Sequence, residues 1–508
     1  MNYDWIKTRS FFNRNDIAII DPNKGTEWTY EQMNIRAENL ANYLRDQGVE
    51  RGDVFGLFAP NDVSHFDFLF AAVKLGAVYL PLNWRLKPQE IAGVVEDSGV
   101  KIIFYATNHL ERLEQVPQEL IHMNVDTDEY NNIVNPENHR PFESVEVEGD
   151  DLLSLIYTSG TTGRPKGVMF TYDTLNHNMI NEIITVGVES NDVTIAGAPM
   201  FHVLGYNDLV LPLLFAGGTV VIQRYFDGAE ANKFMQKYKP TVNVFIPTMY
   251  YGMLMADNFN PEQFSQAKLL IQGGSAPLPP VQKKFEEMGL TLQNAYGLTE
   301  APVTFVNPVE NAKIKPMTIG RALMFIDYRL LNDDGTEAEQ GEVGELALKG
   351  KNVTPGYYNN PEETEKAFSN GYFRTGDLAR VDEEGDIFIV DRKKELIITG
   401  GENVLPSEVQ MVLAQHPLVR QGLVVGYDNP QFGESVSAAV VLNEPDPDFA
   451  EKLDRYMTEN LAGYKTPKLY LELDELPLNS TNKPDVLEVQ RLMNAKAREI
   501  GQHDGLGL

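Results

Sequence analysis

Eleven residues from Tyr157 to Gly167 (YTSGTTGRPKG) limit most strongly what this chain can fold into. The stretch contains three glycines, four Ser or Thr hydroxyls and two cationic side chains. Glycines let backbone N–H groups turn toward one point, and hydroxyls and a lysine add donors and positive charge, so the stretch can surround a polyphosphate. The mostly apolar run Leu152 to Ile156 comes directly before it and predicts a buried strand. The sequence therefore predicts an anion-binding loop at the carboxyl end of a strand, where α/β proteins bind ligands.

This loop differs from the nucleotide P-loop, in which glycine directly precedes the lysine and Ser or Thr follows it. Here Pro165 precedes Lys166, and Gly167 follows it. The mismatch falls on positions that P-loop chemistry needs, which argues against a kinase or an ordinary ATPase of that class. A flexible Ser/Thr/Gly linker is the other interpretation, and it is disfavoured because linkers seldom follow a buried strand.

Composition excludes several classes of function. The chain has 508 residues, which exceeds one ordinary hydrophobic core and predicts two or more domains. Its formal net charge of −30 argues against nucleic acid as a partner, because a phosphate backbone binds basic surface. The sequence contains no cysteine, so disulfides, thiolate metal sites and a cysteine nucleophile are excluded. Any thioester chemistry would therefore use an external thiol.

The sequence shows no signal for export or membrane insertion. Met1 to Asn15 lacks the apolar core of a signal peptide, and no apolar stretch approaches the roughly 18 residues of a membrane span. We therefore expect a cytoplasmic protein without a transmembrane segment. Small molecules are the expected partners, and a homodimer is left open.

Short apolar runs alternate with helical patterns in the first part of the chain. A capping box at Thr29 to Gln32 opens an amphipathic helix, and apolar runs follow at Val54 to Phe58, Val78 to Leu82 and Lys101 to Tyr105. Alternation of this kind predicts βαβ units and mainly parallel sheets. The predicted fold class is therefore α/β for the large N-terminal part of the chain.

The pattern changes in the later part of the chain. From Lys315 to Asp391, short strands are separated by Gly and Asp turns, which predicts a small β-rich subdomain. From Leu396 to about Asn494, strands and helices alternate again, which predicts a small α+β domain at the C-terminus.

A second polar motif, Tyr296 to Glu300 (YGLTE), follows Asn294. It offers an aromatic face for a purine, a glycine for close approach, a hydroxyl for phosphate and a carboxylate for Mg²⁺. On its own it would be read as a turn. Two further features are His202 and the glycines in Ile271 to Pro277 (IQGGSAP). Neither indicates a function on its own, and a lone histidine is usually structural.

Together, the loop at Tyr157 to Gly167 and the motif at Tyr296 to Glu300 resemble the motifs of the AMP-forming acyl-CoA synthetases, which belong to the adenylate-forming superfamily. The resemblance spans Thr29 to Lys483, with the motifs in the family's order. It implies ATP, Mg²⁺ and coenzyme A as cofactors and a carboxylic acid as substrate.

The resemblance also implies a domain organisation. Residues 1–393 would form the ATP- and acyl-binding domain, with the β-rich subdomain at about 315–391. Residues 394–508 would form a mobile C-terminal domain that turns on a hinge at Lys394. Charged runs such as this one are otherwise ordinary solvated surface, so the hinge depends on the resemblance.

The resemblance assigns binding roles to individual residues. The expected contacts of ATP or CoA are Thr158, Ser159, Gly160, Thr161, Thr162, Gly163, Lys166, Asn294, Tyr296, Asp377, Arg392, Gly400, Gly401 and Glu402. Within this set, the family's pattern gives Asp377 the two ribose hydroxyls, Arg392 the ribose and phosphate, and Gly400 to Glu402 the CoA arm. The expected acyl pocket contains His202, Gly273, Gly274 and Gly297.

The expected catalytic residues are Lys483, Thr299, Glu300 and His202, with Mg²⁺ at Glu300. The family's lysine bridges the carboxylate and the α-phosphate during adenylation. This sequence reads Thr481-Asn482-Lys483 where the family has Thr-Gly-Lys, and Pro484-Asp485 follows where basic residues are usual. Asparagine tolerates left-handed backbone better than most residues, so the loop conformation can survive this change.

The expected function is an AMP-forming carboxylate–CoA ligase. A medium- or long-chain fatty acid is the expected substrate, because Gly273, Gly274 and Gly297 leave room and the segment Phe201 to Leu214 is apolar. An aromatic acid of the cinnamate or benzoate type is the alternative. A non-catalytic nucleotide-binding homologue is the alternative from a different class.

Overall fold

The computed structural model describes residues 3–158, 165–399, 402–429, 432–479 and 483–501, apart from the side chain of Asn403. Contacts divide the chain into two compact units. Unit 1 consists of Met1–Arg329, Ala347–Thr375 and Glu383–Phe388, and unit 2 consists of Leu330–Leu346, Gly376–Asp382 and the residues from Ile389 onward. Unit 2 thus includes two segments that precede the expected domain boundary at residue 393. The hinge at Lys394 stays a prediction.

The described α-helices and strands follow one another along both units. The helices are α1 (Trp5–Phe12), α2 (Tyr30–Asp46), α3 (Ser64–Leu75), α4 (Pro88–Ser98), α5 (Asp128–Val134), α6 (Tyr172–Glu182), α7 (Val203–Tyr206), α8 (Val210–Ala216), α9 (Gly228–Tyr238), α10 (Pro247–Met255), α11 (Pro279–Glu287), α12 (Val309–Ala312), α13 (Pro361–Ala367), α14 (Pro406–Leu413), α15 (Phe449–Asn460) and α16 (Val486–Glu499). The first fifteen strands are β1 (Ile17–Asp21), β2 (Thr26–Thr29), β3 (Val54–Phe58), β4 (Val78–Pro81), β5 (Ile102–Tyr105), β6 (Ile121–Asn124), β7 (Leu152–Thr158), β8 (Lys166–Thr171), β9 (Val193–Ala196), β10 (Thr219–Ile222), β11 (Val242–Phe245), β12 (Leu269–Gln272), β13 (Gln293–Leu298), β14 (Ala301–Val306) and β15 (Arg321–Ala322). The remaining strands are β16 (Asp327–Leu331), β17 (Gly344–Lys349), β18 (Phe368–Ser369), β19 (Tyr372–Val381), β20 (Ile387–Arg392), β21 (Ile397–Thr399), β22 (Glu402–Val404), β23 (Val419–Asn429), β24 (Gly433–Leu442) and β25 (Leu469–Glu472).

A six-stranded sheet in unit 1 contains β7 and β8, the strands on either side of the predicted anion-binding loop. Its strand order is β6-β5-β3-β4-β7-β8. The neighbours from β6 to β7 pair in parallel, and β8 turns back antiparallel to β7 at the sheet edge. The mainly parallel sheet predicted from the alternating pattern is therefore confirmed. Strand β7 ends at Thr158, so the predicted loop begins at the carboxyl end of this strand.

Two more sheets complete the α/β part of unit 1. One has the order β2-β1-β10-β9, with β1, β10 and β9 parallel. The other has the order β11-β12-β13-β14-β15, and its first three strands are parallel. The glycine pair Gly273-Gly274 directly follows β12, and Tyr296 and Gly297 lie in β13. This sheet therefore positions the predicted acyl-pocket glycines.

Short strands form the predicted β-rich segment. Strands β16, β17, β19 and β18 are neighbours in that order, and β20 pairs with β19. The last sheet, in unit 2, has the order β22-β21-β24-β23, and β25 pairs with β24. These elements confirm the expected change from mainly parallel sheets to a β-rich and then an α+β organisation.

Helices cover both faces of the C-terminal sheet in unit 2. Because successive residues of a strand point to opposite faces, Val436, Ala438 and Val440 of β24 pack with α14 and α15. On the other face, Ala439 packs with residues of α16, including Met493. The C-terminal part of unit 2 is thus a small three-layer structure with a core on each side of its sheet.

The capping box predicted at Thr29 is present at the start of α2. The Thr29 hydroxyl accepts from the backbone N–H of Gln32, and the Gln32 side chain accepts from the N–H of Thr29. Helix α2 packs against α3 through a buried ion pair. Arg36 donates to both carboxylate oxygens of Asp67, at 2.8 and 2.5 Å, and Tyr130 donates to the same carboxylate at 2.9 Å.

Within the described part of the chain, no helix combines the length and the hydropathy that a membrane crossing requires.

Replacing Asp67 with Ala should destabilise unit 1 strongly. The change leaves the Arg36 guanidinium buried without its carboxylate, a loss that costs about 3–5 kcal/mol at buried pairs. Urea unfolding of the whole chain measures this as a lower transition midpoint. The control is Glu31→Ala, which removes the exposed ion pair with Arg14 and should leave the midpoint nearly unchanged. Equal effects of the two variants would contradict the role of the buried pair.

Candidate active site

Strands β7 and β8, on either side of the predicted anion-binding loop, pair as antiparallel neighbours and form the base of a β-hairpin. Thr158, the last residue of β7, pairs with Lys166, the first residue of β8. Both residues are half-buried. The expected phosphate contacts Ser159, Gly160, Thr161, Thr162 and Gly163 lie outside the described residues. The structure thus fixes both ends of the predicted loop at the carboxyl edge of the sheet.

A close contact with the Tyr157 ring at the base of this hairpin favours glycine at position 167. A Cβ atom at Gly167 would lie 2.9 Å from Cζ of Tyr157, which is closer than real Cβ contacts. The Tyr157 ring therefore lies directly against the backbone of β8. Its hydroxyl donates to Asp97 at 2.5 Å, which holds the ring in place.

A distant segment of the chain closes the free edge of β8. The Tyr358 N–H donates to the Gly167 carbonyl at 2.7 Å, and the Met169 N–H donates to the Gly356 carbonyl at 3.1 Å. This pairing brings Tyr357 next to the loop. The Nζ atom of Lys166 lies 5.2 Å from the centre of the Tyr357 ring, within cation–π range.

Lys166 also forms an ion pair with Glu363 of α13. The N-cap of α13 is Asn360, followed by Pro361, so Glu363 lies in the first helical turn. The Lys166 and Lys366 ammonium groups, both hydrogen-bonded to Glu363, lower the pKa of this carboxyl to about 2. Sequence reasoning missed Glu363 and Tyr357. The only local signal was the Asn-Pro helix start at Asn360.

Tyr357 connects Lys166 to Glu300, the predicted metal ligand. The Tyr357 hydroxyl donates to Oε1 of Glu300 at 2.8 Å. Burial and the Glu300 carboxylate raise the pKa of Tyr357, so the phenol stays protonated and remains a donor. The Glu300 carbonyl accepts from the Thr354 N–H at 2.7 Å. The structure thus brings two predicted site residues, Lys166 and Glu300, to one tyrosine.

Glu300 fits the coordination habits of Mg²⁺. Among the described residues, no group of three or more His, Cys, Asp or Glu side chains could hold a metal ion. Mg²⁺ usually keeps its waters and binds one or two carboxylates together with substrate phosphates. A single carboxylate, Glu300, near the predicted phosphate loop would be such an arrangement.

Asn294, expected to contact the nucleotide, is buried and makes structural hydrogen bonds. Its amide group donates to the carbonyls of Pro316 and Thr318, at 2.7 and 2.8 Å, and its oxygen accepts from Gln272 at 2.9 Å. These bonds fix β13, which carries the half-buried Tyr296. Thr299 lies in the turn after β13 and is also half-buried.

The predicted acyl-pocket residues lie near one another. A Cβ atom at Gly274, where φ is +75°, would lie 3.2 Å from the Leu204 side chain. Leu204 belongs to α7, whose N-cap is His202. A Cβ atom at Gly297 would lie 2.8 Å from the Val303 nitrogen, so this position needs glycine for packing as well. Helix α7 thus lies against the glycine pair that follows β12.

Unit 2 brings together three further predicted residues. Arg392 Nε lies 2.9 Å from a carboxylate oxygen of the buried Asp377. Desolvation and the positive charge of Arg392 lower the pKa of Lys483, and Asp377 acts in the opposite direction. Lys483 is therefore within electrostatic range of both. Glu402 is exposed in β22, Lys394 is exposed, and Gly400 and Gly401 lie outside the described residues.

Two family models match most of the chain, including Lys166, Glu300, Tyr357 and Lys483. The model described as AMP-binding enzyme matches residues 9–358, and the model described as AMP-binding enzyme C-terminal domain matches residues 408–483. The chain belongs to the family of AMP-binding enzymes. The recognition of an adenylate-forming enzyme from its motifs is therefore confirmed.

Curated members of this AMP-binding enzyme family resemble the chain over nearly its whole length. A feruloyl-CoA synthase of Amycolatopsis is 33% identical, covering 92% of this chain and 94% of the relative. A long-chain-fatty-acid–CoA ligase of Mycobacterium tuberculosis is 32% identical, covering 92% and 93%. The structure of Bacillus subtilis o-succinylbenzoate CoA synthetase with its acyl-adenylate intermediate superimposes with a TM-score of 0.85, at 28% identity and coverage of 96% and 98%.

Acidification should weaken the Lys166–Glu363 contact of this AMP-binding enzyme. The folded-state pKa of Glu363 is about 2, below its ordinary value of 4.5, so the stabilisation is present above about pH 4.5 and is lost as the pH falls toward 2. We expect Glu363→Gln to lower the melting temperature at pH 6 and to lower it by a clearly smaller amount near pH 3, where part of the stabilisation is already lost.

The control is Glu362→Gln, which removes the neighbouring carboxylate of the same helical turn. Its melting temperature should differ from the wild type by a similar amount at both pH values. A Glu363→Gln effect that stays constant between pH 6 and pH 3 would show that the ion pair does not stabilise the fold.

Proposed function

We propose that this protein is an AMP-forming carboxylate–CoA ligase. In the first step, a carboxylate oxygen attacks the α-phosphorus of ATP, and the bond to pyrophosphate breaks. In the second step, the thiol of CoA loses its proton and attacks the acyl carbon, and AMP leaves. The observation that carries the proposal is the grouping of Lys166, Tyr357 and Glu300 at the end of β7, in a chain that both family models match.

The chemistry explains why such a grouping is needed. Two unit charges about 4 Å apart repel by roughly 1 kcal/mol in water, and by roughly 4 kcal/mol at an effective dielectric near 20. A carboxylate and a phosphate approach each other more closely than that during adenylation. The protein must therefore supply positive charge and donors locally, against an overall charge of −30.

Residues of the loop would provide this local compensation. Lys166 and Thr158 frame the predicted phosphate cradle, and the Tyr357 hydroxyl orients the Glu300 carboxylate. In this proposal Glu300 holds Mg²⁺, which neutralises charge on the phosphates when bound. Preorganised donors of this type contribute about 3–4 kcal/mol each to transition-state stabilisation.

Lys483 is proposed to act in the first step only. Asp377 and Arg392, which lie within its electrostatic range, are proposed to bind the ribose. For the second step, turning at the proposed hinge Lys394 would present Gly400 to Glu402 to the CoA arm. His202 is proposed to lie beside the substrate carboxylate.

Relatives support a carboxylic acid as substrate but differ in its type. One is named a feruloyl-CoA synthase and another a long-chain-fatty-acid–CoA ligase. Both a medium- or long-chain fatty acid and an aromatic acid are therefore candidate substrates. The cytoplasmic location and a homodimer stay predictions from the sequence.

Pyrophosphate exchange tests the proposed function. Purified protein with ATP, Mg²⁺ and a panel of acids from acetate to palmitate, plus benzoate and coumarate, should exchange labelled pyrophosphate into ATP. AMP formation should then depend on CoA. A non-catalytic homologue would bind nucleotide but show neither reaction, and a kinase would form ADP.

Replacing Lys483 with Ala should separate the two steps. Adenylation should fall by about 10²–10³-fold, since one preorganised charge is lost, while supplied acyl adenylate is still converted to thioester. Rates of pyrophosphate release and of thioester formation measure the two steps. The matched control is Lys468→Ala, an exposed lysine elsewhere in unit 2. Equal loss of both steps in Lys483→Ala would refute this division of roles.

Replacing Glu300 with Gln should raise the Mg²⁺ concentration that gives half-maximal adenylation and lower the rate by roughly 10²-fold. Tyr357→Phe removes only the hydrogen bond to Glu300, so it should also raise the half-maximal Mg²⁺ concentration and lower the rate, each by a smaller factor. Titration of pyrophosphate release with Mg²⁺ measures both. If Glu300→Gln leaves the Mg²⁺ dependence unchanged, Glu300 is not the metal ligand.

A further inference from the structure

Lys166, a predicted phosphate contact, is bound to a carboxylate in this structure. Its ammonium group forms an ion pair with Glu363, and the side chains of Lys166 and Glu363 are 14% and 29% exposed. A carboxylate oxygen and a phosphate oxygen are the same kind of acceptor for an ammonium group. Glu363 and a nucleotide phosphate would therefore bind the same donor.

The segment that carries Tyr357 fixes the position of Glu363. The Asn360 side chain accepts from the Glu363 N–H at 3.2 Å, and the Thr364 hydroxyl accepts from the Tyr357 N–H at 2.9 Å. A Cβ atom at Gly356 would lie 2.4 Å from the Thr364 side chain, so the start of α13 packs directly against this segment. Glu363 is thus held beside β8 by several contacts and is not a loosely placed surface charge.

Glu363 has a second cationic partner. Lys366, which is 69% exposed, donates to Oε1 of Glu363 at 3.0 Å, while Lys166 bonds to Oε2. Because both ammonium groups bond to it, the pKa of the Glu363 carboxyl is lowered to about 2, and the group is fully charged at neutral pH. Lys366 stays in place when Lys166 turns away, so the carboxylate keeps a counter-charge.

The Lys166 side chain can change partner while its backbone stays fixed. The backbone of Lys166 pairs with Thr158 at the start of β8, directly after the predicted phosphate loop. A lysine ammonium group is a compact charge on a flexible four-carbon stem, with three donors. The side chain can therefore turn from Glu363 to a phosphate without a rearrangement of the strand.

The ion pair has two opposite effects on phosphate binding. It holds the Lys166 side chain near the loop, which reduces the entropy lost when a phosphate binds. It also forces the phosphate to take the ammonium group from a carboxylate, or to bind beside a negative charge. The second effect is the larger one here, because the Tyr357 ring and the low exposure of Lys166 already restrict this side chain without Glu363.

We propose that Glu363 competes with nucleotide phosphate for Lys166 and thereby sets the affinity of the site for ATP. Without nucleotide, Lys166 is bound to Glu363. With ATP bound, Lys166 bonds to a phosphate oxygen, and Lys366 alone holds Glu363. The competition weakens ATP binding and, after adenylation, favours release of pyrophosphate. This inference rests on the phosphate role that the proposed function gives to Lys166.

Binding of ATP in the absence of any acid tests the competition. We would measure Kd by calorimetry for the whole chain with ATP and Mg²⁺, and with adenosine for comparison. Glu363→Gln keeps the size of the side chain and removes its charge, so it should lower the Kd for ATP by about three- to tenfold. The Kd for adenosine, which has no phosphate, should change by less than about twofold. An equal change for both ligands would overturn the inference.

The melting temperature gives a second, independent result for Glu363→Gln. This variant loses a stabilising ion pair, so it should be less stable than the wild type while it binds ATP more tightly. General damage to the site would lower the stability and weaken the binding together. That combination would contradict the competition.

Glu362→Gln is the matched control. It removes an equal charge from the same helical turn, at an exposed position next to Glu363. Its Kd for ATP should differ from that of the wild type by less than about twofold. An equal gain in affinity in both variants would show that lower negative charge in general, and not competition for Lys166, strengthens the binding.

A double-mutant cycle with Lys166→Met separates exchange of the lysine from direct repulsion. Lys166→Met should raise the Kd for ATP by about tenfold or more, because a charged hydrogen bond to phosphate is lost. In the Lys166→Met background, Glu363→Gln should change the Kd by less than about twofold, since no ammonium group is left to compete for. An effect that persists there would show that Glu363 repels ATP directly.

The remaining outcomes also decide the question. An unchanged or raised Kd in Glu363→Gln overturns the inference, and a raised Kd would show that Glu363 prepares Lys166 for phosphate. An unchanged Kd in Lys166→Met would show that Lys166 does not bind phosphate. None of these measurements needs turnover. Normal competition without pyrophosphate release from any acid would therefore refute the proposed function and leave this inference standing.

Discussion

The pairing of Gly356 to Tyr358 with the edge of β8 is the interaction on which the rest of the candidate site depends. The Tyr358 N–H and the Gly356 carbonyl both bond to β8, and this places Tyr357 between Lys166 and Glu300. Thr354 of the same segment adds a second link, because its N–H donates to the Glu300 carbonyl at 2.7 Å and its hydroxyl donates to the Met169 carbonyl of β8 at 2.8 Å. One short backbone ladder therefore joins residues that are far apart in sequence into one polar group.

In the proposed function, the group of Lys166, Tyr357 and Glu300 binds phosphates although the molecule as a whole is strongly negative. The chain carries −30 formal charges, yet its proposed reaction joins two anions. Lys166 lies between the carboxylate of Glu363 and the face of Tyr357. Such a lysine is positioned before any phosphate arrives, so less side-chain entropy has to be lost on binding. The acidic surface repels phosphates in general, and the local group determines where one can bind.

The sequence predicted the features that depend on local patterns. The capping box at Thr29, the parallel strands and the buried strand before the predicted loop follow from local patterns, and all are present. Tyr357 and Glu363 could not be found this way, because they reach Lys166 across some 190 residues of chain and lie in unremarkable local sequence. Local patterns also do not reveal the three hydrogen bonds by which the Asn294 side chain holds β13, because the partners come from other parts of the chain. The contact of Asn294 with the nucleotide stays a prediction from the resemblance.

The position of β8 has a consequence for how the protein behaves in concentrated solution. As the last strand of its sheet, β8 would present a row of unsatisfied backbone groups if Gly356 to Tyr358 moved away. Exposed strand edges pair readily with other molecules and start aggregation. The same few bonds that assemble the polar site thus also protect the molecule from self-association. A change in this one segment should therefore alter both the candidate site and the tendency of the protein to self-associate.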